Sequence, residues 1–131
     1  MADSFEISEF FPGTPPAEIF NAWLESKAHS AFTGSPARVD PGVGAEFSAW
    51  DGYISGKTLE VEPHSRILQS WRTTEFPDGS PDSRLEILLE EMGDGTQLTL
   101  IHTGLPDGQG EDYRQGWQEY YFKPMHKYFS A

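Results

Sequence analysis

Four histidines, His29, His64, His102 and His126, are the side chains here able to exchange a proton near neutral pH or to offer a metal a neutral ring nitrogen. None is paired at a spacing of three or four residues with another histidine, and none lies in a ligand-type carboxylate motif, so no metal site is expected. The chain has no cysteine, which removes disulfides, thiol nucleophiles and thiolate ligands. There is no Ser-His-Asp order, no phosphate loop and no dinucleotide fingerprint. Glu60, Glu62, Glu90 and Glu91 read as solvated strand edges. Neither a cofactor nor a catalytic residue is therefore expected.

Among the histidines, His102 stands out. It shares strand parity with Leu98 and Leu100 and so faces the sheet interior, where it hydrogen-bonds a ligand, acts as an acid or base, or closes the strand end as a satisfied buried group. Gln69 shares a face with Ile67 and Trp71. An unpaired buried amide costs about 1–3 kcal/mol, so Gln69 suits a cavity wall unless the parity is reversed and it meets water. Phe47, Trp71, Trp117 and Tyr121 either line a pocket or pack a core, and for Trp117 the core is the better reading. Trp50, beside Asp51-Gly52, is a candidate exposed anchor for a partner.

These residues need elements to hold them. Residues 3–11 alternate Phe5 and Ile7 with polar neighbours and predict a strand. Thr14-Pro15-Pro16 predicts an N-cap and a helix over about 15–24, and Ser26 a second cap and helix to about Phe32, ended by Gly34. Strands then follow at Ala45–Ala49, at 53–62, at 66–75, and around Leu85–Leu89 and Leu98–His102. Asp51-Gly52 predicts a tight hairpin turn and Gly56 a bulge. Trp117, Tyr120, Tyr121, Met125, Tyr128 and Phe129 recur at helical spacing and predict a helix of about five turns. Pro124 predicts a kink within it, and Gly116 a close approach to the sheet.

The resulting order is strand, two short helices, six strands and a long helix: an α+β chain whose curved antiparallel sheet, seven-stranded, encloses a cavity against the helix. Its 131 residues read as one domain, 1–131. A net charge of −12 repels phosphate backbones and anionic membranes, so neither nucleic acid nor membrane is an expected partner. The acidic N-terminus lacks a signal-peptide core and no apolar run approaches the length of a bilayer span, which predicts a soluble cytoplasmic chain.

Several of these segments together resemble one family. They are Asp51-Gly52, Ile54, Gly56, Leu59-Glu60, Pro63 and Trp71-Arg72; then Gly95-Thr96, Leu98-Thr99-Leu100 and His102-Thr103-Gly104-Leu105; and Arg114-Gln115-Gly116-Trp117-Gln118 with Tyr120-Tyr121-Phe122. In order and spacing they are similar to the Aha-type C-terminal domain of the activators of the ninety-kilodalton heat-shock-chaperone ATPase. The resemblance covers essentially the whole chain. It implies the START-like, birch-pollen-allergen-like helix-grip fold, which matches the element order. The element order and the aromatic stripe point to a small apolar or aromatic ligand, held by Phe47, Gln69, Trp71, His102, Trp117 and Tyr121 in a chain acting as monomer or homodimer, whereas the resemblance implies a heat-shock chaperone as partner. An enzyme of the polyketide cyclase or aromatase kind, also found in that superfamily, is the remaining alternative.

Overall fold

The computed structural model describes residues 3–40 and 42–130; positions 1, 2, 41 and 131 of the expected 1–131 domain lie outside the described residues. Strand β1 (Asp3–Pro12) leads into α1 (Pro16–Trp23) and α2 (Ser26–Thr33). Prolines 15 and 16 start α1 without a side-chain cap. Thr14 is buried instead, and its hydroxyl turns back to the Pro12 carbonyl at 3.4 Å. Ser26 opens α2 but does not cap it. Its hydroxyl accepts from the Val39 N–H at 2.8 Å and donates to the Val39 carbonyl at 3.0 Å. Ser30, one turn on, holds Ala37 in the same two-way fashion. Gly34, at φ +76°, closes α2 in the left-handed conformation that favours glycine.

Five strands follow: β2 (Glu46–Ala49), β3 (Ile54–Glu62), β4 (Arg66–Thr73), β5 (Ser83–Met92) and β6 (Gly95–Leu105). The sheet thus has six strands, not the seven expected. The five segments located after the helices are the five strands present, and the described residues hold no sixth there; residues 37 and 39 are held by the serines of α2, and Arg38 makes an isolated bridge to Ser48. The spatial order is β1-β6-β5-β4-β3-β2, every neighbouring pair antiparallel. The last five strands form a meander and β1 joins β6, so the two helices carry the chain from one edge of the sheet to the other.

The bulge in β3 falls between Thr58 and Glu60 rather than at Gly56. Gly56 lies in regular register, where a Cβ would sit 1.9 Å from the Ser70 carbonyl oxygen. Its missing side chain serves the close approach of β3 and β4. The bulge moves the inward face from Ile54 and Thr58 to Val61.

The long helix runs as α3 (Gly110–Gly116), a π-helical segment (Trp117–Phe122) and α4 (Lys123–Phe129). The irregularity therefore precedes Pro124. Pro124 has no N–H to give the Tyr120 carbonyl, and the turn feeding into it winds wider, i→i+5. Gly116 is not a close-contact glycine, since a Cβ there would meet only Tyr120 Cδ2 at 3.9 Å. Ile7, Ile67, Leu85, Ile87, Leu98 and Leu100 on the inner sheet face pack with Trp117, Phe122 and Met125 of the helix in one buried cluster. No helix of the described residues is long and apolar enough to cross a membrane.

Candidate functional site

A pocket of ≈ 310 Å³ opens between the helix and the β2–β3 end of the sheet. Its walls are Trp50 and Tyr53 of the β2–β3 loop, Ile54 of β3, Trp71 of β4, Tyr113 and Gly116 of α3, and Trp117, Tyr120 and Tyr121 of the π-helical segment. Seven of these nine residues are aromatic. Two local features put them there. The loop is a four-residue connection rather than a two-residue Asp-Gly turn, with Trp50, Asp51 and Gly52 in succession at φ +54°, +56° and +90°. Left-handed backbone costs a residue with a Cβ about 1–2 kcal/mol. Bonds from the Asp51 N–H to the Pro36 carbonyl (2.9 Å) and from the Thr74 N–H to the Tyr53 carbonyl (3.1 Å) hold it. The turn places Trp50 half-buried with its ring centroid 5.9 Å from Tyr120 and 6.3 Å from Tyr121, a pocket wall rather than a free anchor. The second feature is the π-helical segment, on which Trp117 and Tyr121, four residues apart, lie with ring centroids 4.5 Å from each other. Tyr120, 62% exposed, forms the outer rim.

Three of the wall tyrosine hydroxyls, those of Tyr53, Tyr113 and Tyr121, are bonded to protein partners. Tyr121 donates its hydroxyl to His29 Nε2 at 2.9 Å, and His29 Nδ1–H donates to the Trp23 carbonyl at 2.9 Å. A carbonyl only accepts, so this ring is neutral with its proton on Nδ1. Burial drives the His29 pKa down to about 4, against a raising contribution from the Trp23 carbonyl. Tyr113 donates to Gln109 Oε1 at 2.8 Å and takes the Thr73 hydroxyl at 2.7 Å. Tyr53 donates to the Glu75 carboxylate. Burial first, and this carboxylate second, push the Tyr53 hydroxyl pKa up; burial also raises Tyr121 and Tyr113.

Beneath Trp71 and Trp117 runs a closed chain of bonds. Trp117 Nε1–H donates to His102 Nδ1 at 3.1 Å, so His102 carries its proton on Nε2 and donates it to Ser83 Oγ at 2.8 Å. Ser83 in turn donates to the Trp71 carbonyl at 2.7 Å. Burial holds the His102 pKa down to about 3. This histidine is neutral and saturated at both ring nitrogens.

Of the six residues singled out in the sequence, Trp71, Trp117 and Tyr121 line the pocket. Phe47, Gln69 and His102 lie in the layer behind it. Phe47 is buried against Gly56. Gln69 is 1% exposed and does not meet water; its Oε1 accepts from Trp23 Nε1 at 3.3 Å and its Nε2 donates to Thr58 at 3.1 Å. Tyr53, Ile54, Tyr113, Gly116 and Tyr120 were not singled out as site residues. Tyr113, four residues before Trp117, carried a readable signal on the helix stripe. Tyr53 carried none, because its place depends on the left-handed loop. Among the described residues no cluster of His, Asp and Glu is placed to hold a metal ion.

A model of the family described as activator of Hsp90 ATPase homolog 1-like protein matches residues 13–130. The chain belongs to this family. The Aha-type chain is 30% identical over 116 residues to the human activator of 90 kDa heat shock protein ATPase homolog 1, covering 88% of this chain and 34% of that protein. It spans about a third of the length of the curated relatives it matches. Among solved structures, an HSP90 activator from Plasmodium falciparum superposes with a TM-score of 0.87 at 26% identity, covering 97% of this chain and 96% of that one. CalU16 from Micromonospora echinospora superposes with a TM-score of 0.81 at 27% identity, covering 99% and 78%. The Aha-type helix-grip architecture expected from the sequence is thus the one present.

Proposed function

We propose that this Aha-type chain is a non-enzymatic binding module that holds a small apolar or aromatic ligand between the sheet and the C-terminal helix. One observation carries the reading: the walls of the ≈ 310 Å³ pocket are aromatic faces, while the hydroxyls of Tyr53, Tyr113 and Tyr121 are spent on protein partners. Such a surface gains by excluding water. A ligand burying about 200 Å² of apolar area gains roughly 5 kcal/mol before association costs. The same observation argues against a cyclase or aromatase. The ionisable lining groups are tyrosines, and His102 has neither a free lone pair nor a free proton facing the pocket. The test is titration with the neutral fluorophore N-phenyl-1-naphthylamine, read by its emission and by tryptophan quenching. Saturable binding of one probe per chain is expected. Absence of saturable binding overturns the proposal.

A second reading has its own support in the likeness to HSP90 activators. In it the chain docks on a ninety-kilodalton heat-shock chaperone in the cytoplasm and modulates its ATPase. Chaperone ATPase rates with and without the purified chain test this; an unchanged rate and no complex would remove it.

A further inference from the structure

We propose that the natural occupant of the pocket is a free small organic cation, a quaternary or alkylated ammonium, held by contact with the aromatic faces; this rests on the reading of the pocket as a ligand site. The walls provide Trp50, Trp71 and Trp117, and tryptophan offers a cation the most favourable ring face. Among the described residues neither lysine nor arginine lines the pocket. Tyr53 and Tyr121 donate their hydroxyl protons to Glu75 and to His29 Nε2, so neither has a proton left to give a polar neutral ligand. An alkylated ammonium needs few such bonds. It carries its charge on methyl groups that suit an apolar wall.

The field has the matching sign. Glu75 lies directly behind Tyr53, and after burial the negative charges of Glu75 and Asp112 contribute to raising the Tyr113 hydroxyl. The chain as a whole carries −12. Arg72, near this end of β4, is neutralised by Asp82 at 2.8 Å. A volume of ≈ 310 Å³ sits at the small end of small-molecule sites and has room for a whole small cation.

The experiment compares choline with its neutral carbon isostere, 3,3-dimethylbutan-1-ol, by NMR of the tryptophan indole N–H signals. Choline is expected to bind at least about tenfold more tightly. Two variants locate the effect. In Gly116→Leu the new side chain extends from a Cβ whose nearest neighbour is Tyr120 Cδ2 at 3.9 Å, and so fills the pocket. It retains the net charge, and choline binding is expected to be lost. Tyr120→Leu removes one exposed rim aromatic and should weaken choline about two- to fivefold, leaving the alcohol nearly unchanged. Circular dichroism confirms that both variants fold. Equal affinity for choline and the alcohol, or choline binding undiminished in Gly116→Leu, overturns the cation assignment. Binding of the naphthylamine probe alone also overturns it while leaving the apolar-ligand reading standing. If nothing binds, both fall. Tighter binding of a trimethyl-lysine peptide or of phosphatidylcholine vesicles than of choline would overturn the assignment to a free ligand.

Discussion

Two buried histidines tie the pocket walls to the scaffold, and each does so as a neutral ring. His29 has its pKa lowered to about 4 and His102 to about 3, against roughly 6.5 in an unfolded chain. The sign follows from proton binding: below pH 6.5 the unfolded chain takes up protons that the folded chain refuses, so stability falls as pH drops. The loss starts near pH 6.5 and runs to the folded values. Urea unfolding between pH 7.5 and 5 should show it as a decline of up to about 1.4 kcal/mol per pH unit for each histidine, before carboxylates titrate. His102→Gln should reduce the slope by one proton; an unchanged slope would mean that His102 is not held neutral. Ser83→Ala probes the same chain of bonds. It leaves the His102 Nε2–H without its acceptor and removes the donor to the Trp71 carbonyl. A loss of about 1–3 kcal/mol is expected from the urea midpoint at constant m-value.

At the scale of elements, the glycines divide into two kinds that the sequence does not distinguish. Gly56→Ala would drive a Cβ to 1.9 Å from the Ser70 carbonyl, a backbone atom that cannot swing aside. A loss of about 3 kcal/mol or more is expected, seen as a collapse of the thermal midpoint. Gly116→Ala is expected to do the opposite, stabilising by about 0.5–1 kcal/mol because it supplies a better helix former with room for its Cβ. A destabilised Gly116→Ala would show that the helix does press on the sheet there. Helices and strands were legible in outline because period-two and helical alternation reflect which face is buried. The π-helical segment was not, since the wide turn is a backbone compromise ahead of Pro124 that leaves no mark in side-chain spacing. The loop at Trp50 was read as a tight turn because Asp-Gly is the usual signal for one. The indole on the preceding residue is drawn into the pocket wall, and the turn opens to four residues.

For the whole molecule, a net charge of −12 means that the folded state compresses like charges. Arg66 offsets part of this on the outer face, bridging Glu86 at 2.6 Å, Glu60 at 3.0 Å and Glu62 at 3.4 Å. Raising the salt from about 10 to 200 mM should increase the thermal midpoint by screening the remainder. A decrease would show that such ion pairs outweigh the repulsion. By itself the sequence determined the helices and strands in outline, the aromatic stripe and the family, because each is written in local periodicity and motif order. It also placed Trp71, Trp117 and Tyr121 on the right elements. Only the tertiary structure decided that β1 pairs with β6, that Gln69 and His102 are spent on scaffold bonds, and that Trp50 and Tyr53 complete the pocket. Those outcomes depend on which hydrogen-bond partner arrives from a distant part of the chain, and no spacing within one segment records that.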